Sequence, residues 1–145
     1  MIIEAIKGDI ANQPDVDAVV NAANAELTTG GGVAGAIHRT AGPQLYKECK
    51  PLAPIRPSEA VITKGYGLPN SYVIHCLGPV YGRDKPEKKL LASCYSKTIR
   101  LAEQYKISSI AFPAISTGAF GYPFKEATQI AFQTILKEAG GLKHL

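Results

Sequence analysis

The sequence of 145 residues lacks several features that define whole classes of protein. No apolar run approaches the roughly 20 residues that a membrane-spanning helix needs. Like charges never form a long block, so the net charge of +4 does not indicate a nucleic-acid-binding tail. The N-terminus lacks the basic residues and the apolar stretch of a secretory signal peptide. We therefore expect a soluble, cytoplasmic protein whose partners are neither a membrane nor a nucleic acid.

Cysteine is scarce and histidine is scattered. The three cysteines, Cys49, Cys76 and Cys94, are widely spaced and form no Cys-x-x-Cys pair, so the sequence predicts neither a zinc site nor a disulfide framework. A reducing compartment fits this pattern. We interpret Cys49 and Cys76 as packing residues, and His38 and His75 as structural histidines with satisfied hydrogen bonds. No metal and no cofactor is expected.

What is present is an ordinary globular composition, with 46% hydrophobic and 19% charged residues. The length predicts one domain with one proper core. The sequence pI near 9.0 favours anionic ligands weakly.

Predicted strands and helices alternate along the chain. Apolar and β-branched runs predict strands at 2–7, 16–21, 60–66, 71–76 and 109–113. Helical spacing of apolar residues predicts helices at 33–40, 43–50, 86–105 and 124–139, the last capped by Gly140 and Gly141. The run at 16–21 is typical of a strand buried on both faces of a parallel sheet. The alternation predicts an α/β fold with helices on both faces of the sheet.

Two segments repeat one arrangement, a buried strand followed by a glycine-rich turn and a helix. The turns contain Gly30–Gly32 in the first segment, and Gly118 with Gly121 in the second. Ligands of open α/β sheets bind beyond the carboxyl ends of the strands, where glycine exposes backbone N–H groups and a helix N-terminus adds partial positive charge. Two such turns facing each other would form a cradle for a phosphate or diphosphate.

Each turn alone is also compatible with a simple tight turn. The first has no Gly-Lys-Ser/Thr ending of a Walker A loop, and it lacks the glycine placement of a dinucleotide-binding motif.

Polar and aromatic residues flank these turns, and each has two possible roles. Asn21 and Asn24 offer donors and acceptors for sugar hydroxyls, or they satisfy the loop backbone. Asp9 accepts a hydrogen bond from the amino group of a base, or it caps its own turn. Phe120 contacts a ring or sugar, or it packs on the following helix.

Five motifs follow one another along nearly the whole chain. They are GDI at 8–10, VNAAN at 20–24, GGGVAGAIH at 30–38, HCLGP at 75–79 and AFPAISTGAFG at 111–121. Together their order and spacing resemble the macro domain family, whose members bind ADP-ribose. The resemblance implies a single macro domain over residues 1–145, with a mixed sheet in a three-layer α/β/α arrangement.

The resemblance also implies roles for the matching residues. Asp9 would accept the adenine amino group, with the Ile10 backbone beside it, while Asn24 would hold the distal ribose and Asn21 would shape the strand end. The distal ribose and diphosphate would be lined by Gly31, Gly32 and Val33, and the facing phosphate loop would comprise Ser116, Thr117, Gly118, Ala119 and Phe120. The candidate catalytic residues are Asn24, Gly32 and Phe120.

The chain departs from the family pattern at two places. One hydrolase branch carries an aspartate, proposed as a base, where this chain has Ala34, although viral hydrolases of the family resemble this chain there. Members usually continue into a final strand whose aromatic residue packs on adenine, whereas this sequence stops at Leu145. Either the natural protein is shortened or the sequence is a fragment, and we expect the usual C-terminal strand to be missing.

The resemblance implies a leading function, which is enzymatic, and one alternative. The first is hydrolysis of ADP-ribosyl esters by a positioned water, either on mono-ADP-ribosylated Asp or Glu or, as a deacetylase, on O-acetyl-ADP-ribose. The second is a reader that binds ADP-ribose without catalysis. The expected partner is ADP-ribose or an ADP-ribosylated protein.

Overall fold

The computed structural model describes residues 4–138, and helices and strands alternate within them. The strands are β1 (Ala18–Ala22), β2 (Ala60–Lys64), β3 (Tyr72–Cys76) and β4 (Ile110–Ala111). The helices are α1 (Gly32–Ala41), α2 (Pro43–Cys49), α3 (Glu87–Gln104) and α4 (Phe124–Glu138), with a 3-10 turn at Lys50–Leu52. The predicted helix cap at Gly140 and Gly141 lies outside the described residues.

The four strands form one mixed sheet in the order β2–β3–β1–β4. β1 runs parallel to both β3 and β4, as expected of an apolar strand buried on both faces, and β2 pairs with β3 in the antiparallel direction. In this register Asn21 lies opposite His75.

The sheet carries helices on both faces. Val20 and Ile74 point into one core cluster, which holds the buried residues of α3 and α4 and is called the α3–α4 cluster below. Val19 and Val73 point to the other face, into a cluster with the buried residues of α1 and α2, called the α1–α2 cluster. The alternation of neighbouring strand residues between two cores gives three layers, which confirms the predicted α/β/α class.

The prediction of a first strand at 2–7 is wrong for its described part. Residues 4–7 are exposed and belong to no strand, and Ile6 is 68% exposed. An apolar run favours a strand only when a neighbour supplies ladder hydrogen bonds and a packing face. The fifth predicted strand, 109–113, is reduced to Ile110–Ala111, since only these two residues pair with β1.

An apolar groove of about 510 Å³ runs along β4 and α4. Ile6, Val16, Ala111 and Phe132 are among the residues that line it. Within residues 4–138, β4 has a strand neighbour only at its β1 edge. The groove does not include the glycine turns, so it is separate from the candidate site.

Candidate functional site

The candidate site lies at the edge of the sheet where three parallel strands end. β3, β1 and β4 are adjacent and point the same way, so the loops that follow them leave from one edge. The Ala23 amide donates to the Cys76 carbonyl over 2.9 Å and ties the first two loops together just beyond the strands. The loops after β1 and β4 contain the two glycine-rich turns.

The first turn leads directly into α1. Gly30 and Gly32 adopt φ values of +53° and +55°, a left-handed conformation that favours glycine. Gly31 is the N-cap of α1, and no side chain of the described residues caps the helix there. Because the first amides of a helix lack intrahelical partners, this N-terminus presents N–H groups and partial positive charge at the sheet edge.

The second turn is closed by its own backbone. The Gly121 amide donates to the Gly118 carbonyl over 3.0 Å, and the Tyr122 amide donates to the Ser116 carbonyl over 2.8 Å. Thr117 Oγ1 donates to the Ala114 carbonyl over 2.7 Å, so this hydroxyl serves the turn itself. Gly118 and Ala119 are exposed at its tip.

The two turns rest on the same core. Val33 at the start of α1 and Phe120 in the second turn are both half-buried against the α1–α2 cluster. Phe120 thus packs beneath the first turn, whereas the buried residues of the following helix, α4, belong to the other cluster. The two turns therefore share one supporting cluster at this edge of the sheet.

Asn24 is engaged with its own loop. Its Oδ1 accepts the Thr28 amide at 3.0 Å and the Thr28 hydroxyl at 3.2 Å, and its Nδ2 donates to the Thr28 carbonyl at 3.0 Å. A Cβ on Gly30 would lie 3.0 Å from the same Nδ2. Asn24 therefore shapes the loop that leads into the first turn, and it remains half-buried beside that turn.

Asp9 and Ile10 precede this region on an exposed turn. Asp9 Oδ1 accepts the Ala11 amide at 2.9 Å, while its main-chain carbonyl accepts the Asn12 amide at 3.0 Å. Ile10 packs against the α1–α2 cluster, which joins this turn to the core beneath the site. The carboxylate organises its own turn, which was one of its two expected roles.

A buried polar network, which the sequence did not predict, lies behind the site. Asn21 is fully buried, and its Nδ2 lies 3.0 Å from His75 Nδ1. On the other side of the ring, His75 Nε2 lies 2.9 Å from Thr63 Oγ1. Asn21 thus joins β1 to β3 and holds the strand end. The paired positions become evident only once the parallel register is known.

The nearby titratable groups are held in their neutral forms. Burial, together with the neighbouring His38, lowers the pKa of His75 to about 3. Burial also lowers the pKa of His38, whose ring nitrogens have no hydrogen-bond partner among the described residues, contrary to its expected satisfied state. Burial, with the charge of Glu48 adding to it, raises the pKa of Cys49 to about 11. Cys49 and Cys76 are buried in the two core clusters, as expected of packing residues.

Neither a metal centre nor a membrane span is evident in residues 4–138. No His, Cys, Asp and Glu side chains there group in threes or more as metal ligands would. No described helix combines the length and hydropathy required to cross a bilayer.

Comparison with known proteins was consistent across sequence and structure. The family model described as "Macro domain" matches residues 20–131. A macro domain-containing protein of Methanosarcina mazei is 55% identical over 134 residues, which cover 92% of this chain and 71% of that protein. The ADP-ribose glycohydrolase MACROD2 of Xenopus laevis is 50% identical over 131 residues, covering 89% of this chain and 31% of that protein. A Trypanosoma brucei macrodomain solved in complex with ADP-ribose superposes with a TM-score of 0.88 at 40% identity, covering 98% of this chain and 61% of that one.

Proposed function

This chain belongs to the macro domain family, and we propose that it binds ADP-ribose and hydrolyses ADP-ribosyl esters. The substrates in this proposal are mono-ADP-ribosylated Asp or Glu side chains and O-acetyl-ADP-ribose. The solved relative with bound ADP-ribose and the relative named as an ADP-ribose glycohydrolase support the ligand and the reaction class.

The observation that carries the proposal is the pair of glycine-rich turns at one sheet edge. β1 and β4 are parallel neighbours, so both turns leave from their carboxyl ends. The first offers the uncapped N-terminus of α1, and the second offers an exposed tip at Gly118 and Ala119. Backbone amides at such a place bind a diphosphate without needing a cationic side chain.

Each residue of the site takes a role in this proposal. Asp9 and the Ile10 backbone hold adenine, and Asn24 holds the distal ribose while Asn21 fixes the strand behind it. The remaining ligand contacts come from the two turns, through Gly31, Gly32 and Val33 and through Ser116, Thr117, Gly118, Ala119 and Phe120.

Catalysis in this proposal rests on a water molecule held near the distal ribose by Asn24, Gly32 and Phe120. The water adds across the ester bond, so that its hydroxyl and its proton are divided between free ADP-ribose and the released carboxylic acid. Ala34 supplies no carboxylate to accept the proton in transit, and a phosphate oxygen of the ligand takes that role. Preorganised loop amides stabilise the developing charge, and one such donor is worth about 3 kcal/mol.

A non-catalytic reader is the second candidate, favoured by two observations. Ala34 stands at the start of α1 where one hydrolase branch of the family carries an aspartate. Asn24 already uses both of its side-chain polar atoms on Thr28. A reader needs only the two amide-lined turns.

One experiment in two stages tests the proposal. Calorimetric titration with ADP-ribose should show saturable binding at one site, and the absence of heat would refute the binding function. A time course with a protein that is mono-ADP-ribosylated on Asp or Glu then separates the two candidates. A hydrolase releases free ADP-ribose, whereas a reader leaves the modification in place.

We also propose that residues 1–145 form one macro domain that acts in the cytoplasm. Three buried free thiols, at Cys49, Cys76 and Cys94, suit a reducing compartment.

A further inference from the structure

The segment 77–84, which follows β3, contacts the second glycine turn at two points. Gly78 approaches Ser116 so closely that a Cβ on Gly78 would overlap Ser116 Oγ and lie 2.6 Å from Ile115 Cγ2. Three residues later, the Tyr81 amide donates to the Phe120 carbonyl over 2.8 Å. One contact lies at the start of the turn and the other lies near its end.

Gly78 is required here by the space available. Its φ lies outside the left-handed region, so an alanine would be acceptable to its own backbone. What excludes a side chain is the neighbouring turn. This distinguishes Gly78 from Gly121, whose φ of +75° itself favours glycine.

Ser116 adopts a backbone conformation that residues other than glycine rarely adopt. Its φ of +67° is uncommon for a residue with a side chain. Ser116 is 6% exposed, and its Oγ has no hydrogen-bond partner among the described residues. The Ser116 carbonyl accepts the Tyr122 amide within the turn, whereas its side chain is held by what packs around it.

The segment is itself anchored on both sides of these contacts. The Leu77 carbonyl accepts the Ser58 amide at 2.7 Å and the Cys94 thiol at 3.3 Å. At the other end, Asp84 Oδ2 accepts the Val80 amide at 2.8 Å. The segment therefore presents Gly78 and the Tyr81 amide to the turn from a fixed position.

We propose that Gly78 and the Tyr81 amide are positioning groups that set the shape of the turn 116–121, and hence the direction of its ligand-facing amides. Gly78 provides the space in which Ser116 sits, and Tyr81 holds the carbonyl of Phe120. Neither group touches the ligand. The effect on binding rests on the proposed function, whereas the effect on the shape of the turn does not.

The test measures both effects in the Gly78→Ala variant. In the free protein, we expect the backbone amide resonances of residues 116–121 to shift, while those of β1 and α1 stay in place. ADP-ribose should bind at least tenfold more weakly. Tyr81→Phe is the matched control, because it keeps the amide donor and the ring contact with Tyr122, and it should bind as the parent does.

A rescue variant separates positioning from a general loss of stability. Ser116→Gly removes the hydroxyl that the new methyl would meet and relieves the positive φ. Gly78→Ala should therefore cost at least threefold less affinity when introduced into Ser116→Gly than when introduced into the parent. Equal costs in the two backgrounds would overturn the proposal.

Asp84→Ala provides a second variant if Gly78→Ala fails to fold, since it releases the Val80 amide in a solvent-facing loop. It should shift the same turn resonances, though less. Unchanged resonances at 116–121 in the variant that folds would overturn the positioning role, whether or not ADP-ribose binds. If the parent binds no ADP-ribose, the proposed function fails, and the resonances still decide the positioning role.

Discussion

The side-chain amide of Asn21 donates to Nδ1 of His75 over 3.0 Å, behind the edge of the sheet where the glycine turns begin. An amide NH₂ is only a donor, so Nδ1 must be the unprotonated nitrogen of a neutral ring. The ring proton then lies on Nε2, which donates to Thr63 Oγ1 over 2.9 Å. Thr63 Oγ1 donates in turn to the Lys64 carbonyl over 3.2 Å, so the network links β1, β3 and β2 with one consistent proton order.

Removing the central ring should destabilise the fold. His75→Phe retains most of the volume but leaves the buried Asn21 amide without its ring partner, while Thr63 keeps only its hydrogen bond to the Lys64 carbonyl. An unsatisfied buried group costs about 1–3 kcal/mol, so we expect the free energy of unfolding in urea to fall by about 2 kcal/mol or more. Thr63→Val breaks one link only and should cost less. Parent-like stability of His75→Phe would show that the network contributes nothing.

Acid should destabilise the protein in a defined window. The pKa of His75 is about 3 in the folded state, against about 6.5 in an unfolded chain, so below about pH 6.5 the unfolded chain binds a proton that the folded chain does not. His75 therefore contributes its full stabilisation above that pH and loses it progressively as the pH falls towards 3. The lowered pKa of His38 acts in the same direction.

Urea unfolding across this window provides the measurement. One proton of difference changes the free energy of unfolding by about 1.4 kcal/mol per pH unit. Stability should fall more steeply between about pH 6 and pH 4 in the parent than in His75→Phe, by up to that slope. Identical slopes in the two proteins would mean that His75 is not held neutral by the fold.

Asp9 allows its two roles to be separated by charge. Asp9→Ala removes both the acceptor for the Ala11 amide and the proposed acceptor for adenine, and it should weaken ADP-ribose binding by about 1–3 kcal/mol in calorimetry. Asp9→Asn keeps an oxygen for the Ala11 amide but replaces the other carboxylate oxygen with a donor. If adenine is bound as proposed, both variants bind weakly. If only Asp9→Ala binds weakly, the role of Asp9 is to stabilise its own turn, and it does not bind adenine.

Asn24 should matter for turnover beyond its part in the loop. We expect Asn24→Ala to lower the release of ADP-ribose at least tenfold, because it removes the proposed hold on the distal ribose and the water. Thr28→Val deletes one of the three Asn24 contacts and leaves the asparagine in place, so it controls for loop geometry. It should retain most of the parent rate. Unchanged turnover in Asn24→Ala would remove the residue from the mechanism, and an equal loss in Thr28→Val would assign the effect to the loop.

The sequence predicted the central sheet and both turns for local reasons. The apolar run before Asn21 has no polar face, which leaves few alternatives to a buried parallel strand, and glycines at 30 and 32 coincide with positive φ values. Residues 4–7 were mispredicted because a strand depends on a neighbour, and an apolar run in the sequence does not reveal whether that neighbour exists.

Contacts between distant segments could not be predicted from periodicity. The pairing of Asn21 with His75 depends on a register between residues 54 positions apart. The closeness of Gly78 to Ser116 likewise depends on two loops that meet only when β3, β1 and β4 share an edge. The nearest signal was Gly78 itself, a glycine directly beyond a predicted strand, and the sequence offered no partner for it.

Two glycines of the second turn make a matched pair that separates ligand contact from backbone strain. An added Cβ meets nothing within 4 Å at either Gly118 or Gly121, but only Gly121 has a positive φ, of +75°. Gly121→Ala should therefore lower the free energy of unfolding by about 1–2 kcal/mol, the usual cost of a left-handed conformation for a residue with a Cβ.

Gly118→Ala should leave the stability unchanged, or raise it slightly by restricting the unfolded chain. Its methyl group instead occupies open space at the exposed tip of the turn, where the diphosphate is proposed to lie, so ADP-ribose should bind at least tenfold more weakly. Urea unfolding and calorimetry on the two variants provide the comparison. Parent-like affinity in a stable Gly118→Ala protein would mean that the diphosphate does not approach this tip, and the phosphate-binding role of the second turn would have to be abandoned.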